Sequence, residues 1–554
     1  VNAAATTACG NTPAAGLAVT LQPRTLVSDN QNYILSTSVL SAGATTDADI
    51  TNLSSAAIRQ QITYFDGLGR PMQDIAIQAA PDGKDIVTPI TYDGYGRQDK
   101  SYLPYAAGDT TGSYRSAINP TYTNSAQYLF YQQTADTSIP VIPNPYSQTV
   151  FEASPLNRPL QLANPGSTWA VGSGHTVNTD YEINVASEVR LWNITTDANG
   201  NNTGATGSGY YAAGELYKTI TTDENSHQVI EFKDKDGQVV CKKVQSGAAG
   251  AFVITQYIYD DFGDLAYVLP PALSSITSFT ELTTDANFGN YIYAYHYDER
   301  RRMVEKKIPG QGWGYMLYDK ADHLVATQDA VQRSLGYWAF TKYDGLGRMV
   351  MTGRYNSSSS RATLQTTVGA WDSTKLTENR VTTGNGYTNQ AFPTTITETY
   401  SINYYDDYSF LTLTGVNPTT SLITAANGSD SLSNMTKGLP TGSRIEILGS
   451  PGSYLLSVSY YDSKGRLSKT IKQHQLQGVD VVTNHYDFVG ELLNSTRKHY
   501  AGNNYTTAAL SITDSYSYDH AGRMLVTTEQ INNQTPVALT SNTYNEIGQL
   551  KSKL

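Results

Sequence analysis

One short step recurs throughout this chain and limits what it can fold into. It reads YDGLGR at 343–348, YFDGLGR at 64–70, YDGYGR at 92–97 and YDHAGR at 518–523. Anchored on an Asp with Gly three residues on, the clear copies are Asp66 with Gly69, Asp93 with Gly96, Asp260 with Gly263, Asp344 with Gly347, Asp462 with Gly465, Asp487 with Gly490 and Asp519 with Gly522. FKDKDGQ adds Asp234 with Gly237, YNEIGQ adds Asn545 with Gly548, and YDERRR and YDKADH are degenerate copies at Asp298 and Asp319. An arginine follows the glycine at Arg70, Arg97, Arg348, Arg466 and Arg523. Neighbouring anchors, such as 462 and 487 or 319 and 344, share a spacing in the mid-twenties. A fixed period of that size is the signature of a repeat architecture.

The unit has a direct physical reading. Asp at the first position of a type I turn accepts backbone N–H groups through its carboxylate, and Gly at the fourth takes positive φ without a Cβ clash. A type I turn followed by a left-handed residue closes a β-hairpin with a bulge. The flanks agree: in LLSVSYYD, Leu456, Val458 and Tyr460 alternate with small polar residues, and GRLSKTIK keeps a period near two. Each repeat therefore supplies two strands and two turns. The fold class expected is all-β: a long antiparallel sheet of hairpins that must curl, spiralling into a hollow shell or part of one, because long flat sheets resist their own twist and expose reactive edges. The recurrent Tyr reads as a packing ladder, ring inward and hydroxyl partnered. Because Asp and Arg recur once per repeat, they read as structural and not catalytic.

Composition supports this. Charged residues are only 16% of the chain, and Tyr stands at 41 against 12 Phe, which suits half-wetted β-surfaces. A net charge of −11 without a basic block argues against nucleic-acid binding. Cys9 and Cys241 are the two cysteines, too few for a disulfide scaffold or a cysteine-rich metal site. No apolar run reaches the ~18 residues of a membrane span.

Sites of chemistry are not evident. The eight histidines show no i,i+2 or i,i+4 pair suited to a metal, and His296 and His485 read as strand residues. No nucleophile elbow or phosphate loop occurs. PGQGWGY (309–315) reads as a tight turn with aromatics packed on backbone. Asp406 and Asp407 in YYDDY are strand neighbours pointing to opposite faces, a poor acid/base pair, with calcium ligation as their alternative role. No catalytic residue, metal ligand or cofactor site is assigned, and the expectation is a non-enzymatic protein.

The motifs YDGLGR, YYDSKGRL, YDHAGRM and YNEIGQL resemble the YD repeats of Rhs proteins, a group that includes teneurins and toxin-complex shells. Residues 32–105 and FEASPLNRPLQLANPG (151–166) resemble the front region of Rhs-type proteins from Bacteroidota, as do NYYDDYSFL (403–411) and TKGLPTGSRI (436–445). The resemblance implies a β-cocoon enclosing a C-terminal effector, often a toxin, of the same polypeptide. It also implies a secreted or cell-surface location and, as a further partner, outer-membrane (type IX) export machinery. The alternatives are a surface adhesin holding glycan or protein, or an accessory of that machinery. The sequence ends in mid-repeat, so the natural chain is expected to continue into the effector.

The expected organisation is an N-terminal arm (1–30), a front β-region (31–166), a loop-rich insertion (167–225), a first repeat block (226–355), a loop-interrupted β-region (356–453) and a second repeat block (454–554). Loops are expected at 195–209 and 355–365, and short helices within 119–133 and at the start of 272–295.

Overall fold

The computed structural model describes residues 28, 30–54, 57–116, 122–134, 136–247, 250–282, 284–413, 433, 435–502 and 507–554. Residues 1–27 of the expected arm, Cys9 among them, lie outside the described residues. The fold is all-β, and the longest helix among the described residues is Arg361–Gly369. Two compact units divide the chain, one formed by 1–178, 461–470 and 480–554, the other by 179–460 and 471–479.

In the second unit, antiparallel strands follow one another along the sheet nearly in chain order. They run from Tyr217–Thr222 through Gln228–Lys233, Val239–Gln245 and Phe252–Tyr259, and on to Pro440–Glu446 and Tyr454–Tyr461. The expected bulge is present. Pairing slips by one residue at Phe232/Lys233, Ile258/Tyr259, His296/Tyr297, Leu317/Tyr318 and Lys342/Tyr343, each time just before the turn Asp. Alternation sets the buried face: Trp338, Phe340 and Lys342 are buried in Tyr337–Tyr343, and Leu456, Val458 and Tyr460 in Tyr454–Tyr461. One core gathers Tyr267, Leu269, Phe279, Phe288 and Ile292, and another gathers Leu317, Trp338, Leu364, Val368 and Phe392.

In the first unit, Asn32–Val39, Ile58–Phe65, Pro71–Ile77, Ile86–Pro89 and Tyr105–Ala106 form a five-stranded sheet over a core of Ile62, Tyr64, Ile75, Val87 and Tyr105. The C-terminal hairpins Leu492–Tyr500, Leu510–Tyr518, Met524–Ile531 and Val537–Tyr544 pair in succession. No residue of Leu510–Tyr518, Met524–Ile531 or Val537–Tyr544 is fully buried, so these strands form a wall only half covered on either face. The last strand, Leu550–Lys553, pairs with Val537–Tyr544.

Two expected loops are ordered elements. Residues 195–209 belong to a hairpin, Arg190–Thr196 with Asn202–Tyr210. Its tip, Asp197–Gly200, is another Asp-x-x-Gly turn, and two of its glycines allow close packing: a Cβ on Gly204 would collide with the Phe279 carbonyl oxygen, and one on Gly207 would press on Arg190. In 355–365, the strand Met349–Asn356 runs in and helix Arg361–Gly369 begins, capped by Ser360 Oγ accepting the Thr363 N–H. The helix's propensity is poor, but Leu364 and Val368, one turn apart, bury against the sheet. Short helical turns fall at Tyr122–Asn124 and Ala126–Phe130, and at Pro271–Leu273. Helices Asp47–Thr51, Ala286–Tyr291 and Ala330–Ser334 were not anticipated.

Candidate functional site

The repeat residues build a clasp, and its geometry recurs. At Asp66 the main chain closes a turn, with Gly69 N–H donating to the Asp66 carbonyl (3.0 Å) and Asp66 N–H to the Arg70 carbonyl (2.9 Å). The carboxylate divides its work. Oδ1 accepts the N–H groups of Leu68 (2.8 Å) and Arg70 (2.9 Å), while Oδ2 accepts Arg70 Nε and Nη2, both at 2.8 Å. Gly69 has φ +77°, where a Cβ is disfavoured. The carboxylate–guanidinium grip repeats between Asp93 and Arg97, Asp344 and Arg348, Asp462 and Arg466, Asp519 and Arg523, and also Asp298 and Arg302. Backbone donors, Arg70 foremost, hold the Asp66 carboxyl below its usual range, and Asp93 is lowered in the same way.

The remaining turn glycines stand where the motif places them. Gly96 (φ +79°) donates its N–H to the Asp93 carbonyl at 3.0 Å, and Gly263 (φ +78°) to that of Asp260 at 2.9 Å. Gly465 (φ +75°) bonds Asp462 at 3.0 Å, and Gly522 (φ +79°) bonds Asp519 at 2.9 Å. Positive φ alone does not account for three of these glycines. A Cβ on Gly96 would press on Arg70 Nη1 (3.1 Å), one on Gly263 on Gln238 Nε2 (2.8 Å), and one on Gly522 on the Arg59 guanidinium. Gly96, Gly263 and Gly522 therefore also leave room for a side chain reaching over from another turn or from the front sheet. That second role is invisible locally, because the incoming side chain belongs to another part of the chain.

Tyrosine carries the clasp to the next repeat. At nine positions a Tyr directly before an Asp, or before Asn545, donates its hydroxyl to the carbonyl five residues after the preceding turn Asp. In the first unit these are Tyr92 to Pro71 (2.9 Å), Tyr486 to Leu467 (3.0 Å), Tyr518 to Leu492 (3.0 Å) and Tyr544 to Met524 (2.6 Å). In the second they are Tyr259 to Val239 (3.1 Å), Tyr297 to Leu265 (3.1 Å), Tyr318 to Met303 (2.9 Å), Tyr343 to Leu324 (2.9 Å) and Tyr405 to Met349 (3.0 Å). The same rings carry the preceding arginine: Arg70 lies 4.3 Å from the Tyr92 centroid, Arg302 4.8 Å from Tyr318, Arg348 4.4 Å from Tyr405 and Arg466 4.9 Å from Tyr486. These rings are half-buried at the turn rims and not turned inward as the sequence suggested. Phenylalanine could stack there but could not donate, which accounts for Tyr at these nine positions.

Departures from the motif are compensated. After Gly263 the arginine position holds Asp264, and Arg301 supplies the cation with Nη2 2.7 Å from Oδ1. After Gly490 it holds Glu491, and Arg59 does the same at 2.5 Å. The Gly490 N–H here bonds the Asp487 side chain (2.8 Å). His323 replaces arginine at Asp319, bonding Oδ2 at 3.0 Å and stacking 4.7 Å from Tyr343. Turns from Asp223 to Ser226 and from His474 to Gln477 follow the same backbone pattern, with φ +67° at Ser226 and +62° at Gln477. Their lack of glycine hid them in the sequence. Asp406 and Asp407 do not combine as a calcium site: Asp406 grips Arg348 (2.9 and 2.6 Å), and Asp407 faces Ser409 and Arg380.

A second constellation lies in the second unit, in a cleft of about 1030 Å³ whose lining includes Trp192, Tyr259, Phe262, His296, Glu305 and Arg361. His296 sits between two carboxylates, Nδ1 2.8 Å from Glu305 and Nε2 3.1 Å from Glu281. Trp313 lies 4.6 Å from its ring; the expected tight turn is confined to residues 309–311, and Trp313 and Tyr315 stand in the strand Gly312–Tyr318. Tyr267 donates to Glu281 (2.5 Å) and Arg361 to Glu305 (2.6 Å). Burial alone would lower the His296 pKa, but the two carboxylates outweigh it and hold the pKa at about 9. Both ring nitrogens are engaged, so neither is free as a metal ligand. His296 is thus more than the ordinary strand residue expected. Its partner Arg361 comes from a helix read as a loop, so no local signal pointed to the network. His485 is an exposed strand residue.

Comparison with known proteins gives one family match: residues 37–183 fit a domain of unknown function (DUF6443). No curated protein matches. Among solved structures, the chain is similar to TcdB2-TccC3-TEV, with 14% identity over 89% of this chain and 22% of that one at a TM-score of 0.42. It is also similar to TcdB2-TccC3-Cdc42 (14% identity, the same coverages, TM-score 0.41). The Tc holotoxin pore of Photorhabdus luminescens carrying a TccC3 mutation matches at 13% identity over 88% of this chain and 26% of that one, TM-score 0.35. The chain thus spans about a quarter or less of the solved chains it matches.

Proposed function

We infer that this chain is a wall segment of an exported Rhs-type shell whose task is to enclose a polypeptide effector continuous with it. The observation that carries the reading is the clasp. The distinctive residues of the repeat, Tyr, Asp, Gly and Arg, are occupied in joining one hairpin to the next, as in Arg302–Tyr318–Met303. A chain whose repeated chemistry is internal is built to make a continuous surface. The half-covered C-terminal strands support this, since a wall facing a chamber is wetted on both sides. A non-enzymatic role is supported by the His296 network, where imidazole and carboxylates satisfy one another. Tyr-rich strand surfaces would contact many cargo sequences without one fixed partner.

The test is limited proteolysis of the full natural polypeptide, read by mass spectrometry. A segment following residue 554 that resists protease while the shell is intact, and is digested once the shell is unfolded, fits enclosure. Equal digestion of that segment before and after unfolding would end the reading. The cleft with its exposed Phe262 (76%) favours a second reading, a binding scaffold at the cell surface, for which a glycan array probed with Phe262→Ala as the control is the measurement.

A further inference from the structure

In the second unit, Lys342 stands on the buried face of the strand Tyr337–Tyr343. Its ammonium group is fully buried, as is the carboxylate of Glu378 that it meets at 2.8 Å. Lys342 Nζ also lies 2.5 Å from Asn389 Oδ1 and 3.0 Å from the Ala391 carbonyl oxygen. Glu378 is locked in place. Oε1 accepts the Ala391 N–H (3.1 Å), and Oε2 accepts the Thr388 hydroxyl (2.6 Å) and the Gln390 N–H (3.1 Å). Asn389 Nδ2 donates outward to the Thr394 carbonyl (2.7 Å), and Asn389 is exposed, so its nitrogen faces an exit.

We propose that Lys342 and Asn389 are an autocatalytic cross-link site, at which an isopeptide bond forms between Lys342 Nζ and Asn389 Cγ with Glu378 as the proton carrier. The chemistry balances without any added reagent. Glu378 takes a proton from the ammonium, and the neutral amine attacks Asn389 Cγ. The amine's second proton and the one held by Glu378 pass to Nδ2 and the medium. The Cγ–Nδ2 bond breaks, ammonia leaves as ammonium, and Glu378 returns to its carboxylate form. Burial favours the first step by disfavouring the charged ammonium, and it holds the Lys342 pKa below its ordinary value. Proximity supplies the rest, since nucleophile and amide are held together by the fold. The bond would tie the strand Tyr337–Tyr343 to the segment 376–397, which crosses it without a strand of its own.

Intact mass spectrometry of the denatured wild-type chain, followed by peptide mapping, decides this. The expected result is a mass lower than that of the sequence by one ammonia, together with a branched peptide joining Lys342 to Asn389. Glu378→Gln and Lys342→Met should both return to the full sequence mass. A wild-type chain at full mass overturns the proposal, as does ammonia loss mapped to a different asparagine. Because the wild-type measurement needs no variant to fold, misfolding of Glu378→Gln leaves the proposal testable. A Glu378→Gln chain that still carries the branched peptide removes Glu378 from the mechanism.

Discussion

Arg59 Nη2 lies 2.5 Å from Glu491 Oε1, joining residues 432 apart in the sequence. Arg59 also donates from Nε to the His520 carbonyl (3.3 Å), and His520 Nε2 lies 2.7 Å from the Gln78 carbonyl oxygen. The front region thus fills the place of the arginine that the repeat at Asp487 lacks, and in doing so fastens the C-terminal hairpins to the first sheet.

A double-mutant cycle on Arg59→Ala and Glu491→Ala, read by urea denaturation, should give a coupling of about 0.5–1 kcal/mol, the size of a partly exposed ion pair. The coupling should shrink in high salt. Purely additive effects would mean that the pair does not fasten the two regions.

Removing one hydroxyl of the ladder isolates its contribution. Tyr318→Phe keeps the ring under Arg302 but leaves the Met303 carbonyl without its donor, and should cost about 1 kcal/mol in chemical denaturation. Arg302→Lys should cost as much or more, because lysine loses the forked contact with Asp298 and the planar stacking together.

The turn residues should respond with opposite signs. Gly347 has φ +76° with only the His323 ring edge near its Cβ position, so Gly347→Ala should lower stability by about 1 kcal/mol, chiefly through backbone strain. Ser226 occupies the same place at φ +67°, so Ser226→Gly should raise stability by up to about 1 kcal/mol. Thermal melts of the two variants side by side test this, and a shift of the same sign in both would contradict the assigned turn geometry.

The His296 network makes stability depend on pH. Its pKa is about 9 in the fold against an ordinary 6.5, so the folded state binds the proton more tightly. The contribution is complete below pH 6.5 and is lost as pH rises through about 9, with a slope of about 1.4 kcal/mol per pH unit between them. His296→Gln should flatten that slope in urea midpoints measured across the window. A variant with the unchanged wild-type slope would show that the imidazole is not charged in the fold.

Much of the architecture was readable because a turn is a local object. Asp66 and Gly69 determine their hairpin within five residues, and the alternation of Leu456, Val458 and Tyr460 sets the buried face before any partner strand is known. The hairpin around Asp197 was missed because its glycine-rich strand looks like a loop until Phe279 is packed against it. Helix Arg361–Gly369 was missed because Leu364 and Val368 make it stable only once the sheet is there to receive them.

Where the chain bends, and that the bends recur, is written locally, since φ preference and Asx capping act between residues already adjacent. The roles of Tyr and Arg, the distant arginine that answers Asp264 or Glu491, and the meeting of His296 with Glu281 and Glu305 follow from the assembled fold. Those partners are brought together by strand register and by elements far along the chain, and register is a property of the assembled sheet, carried by no single segment.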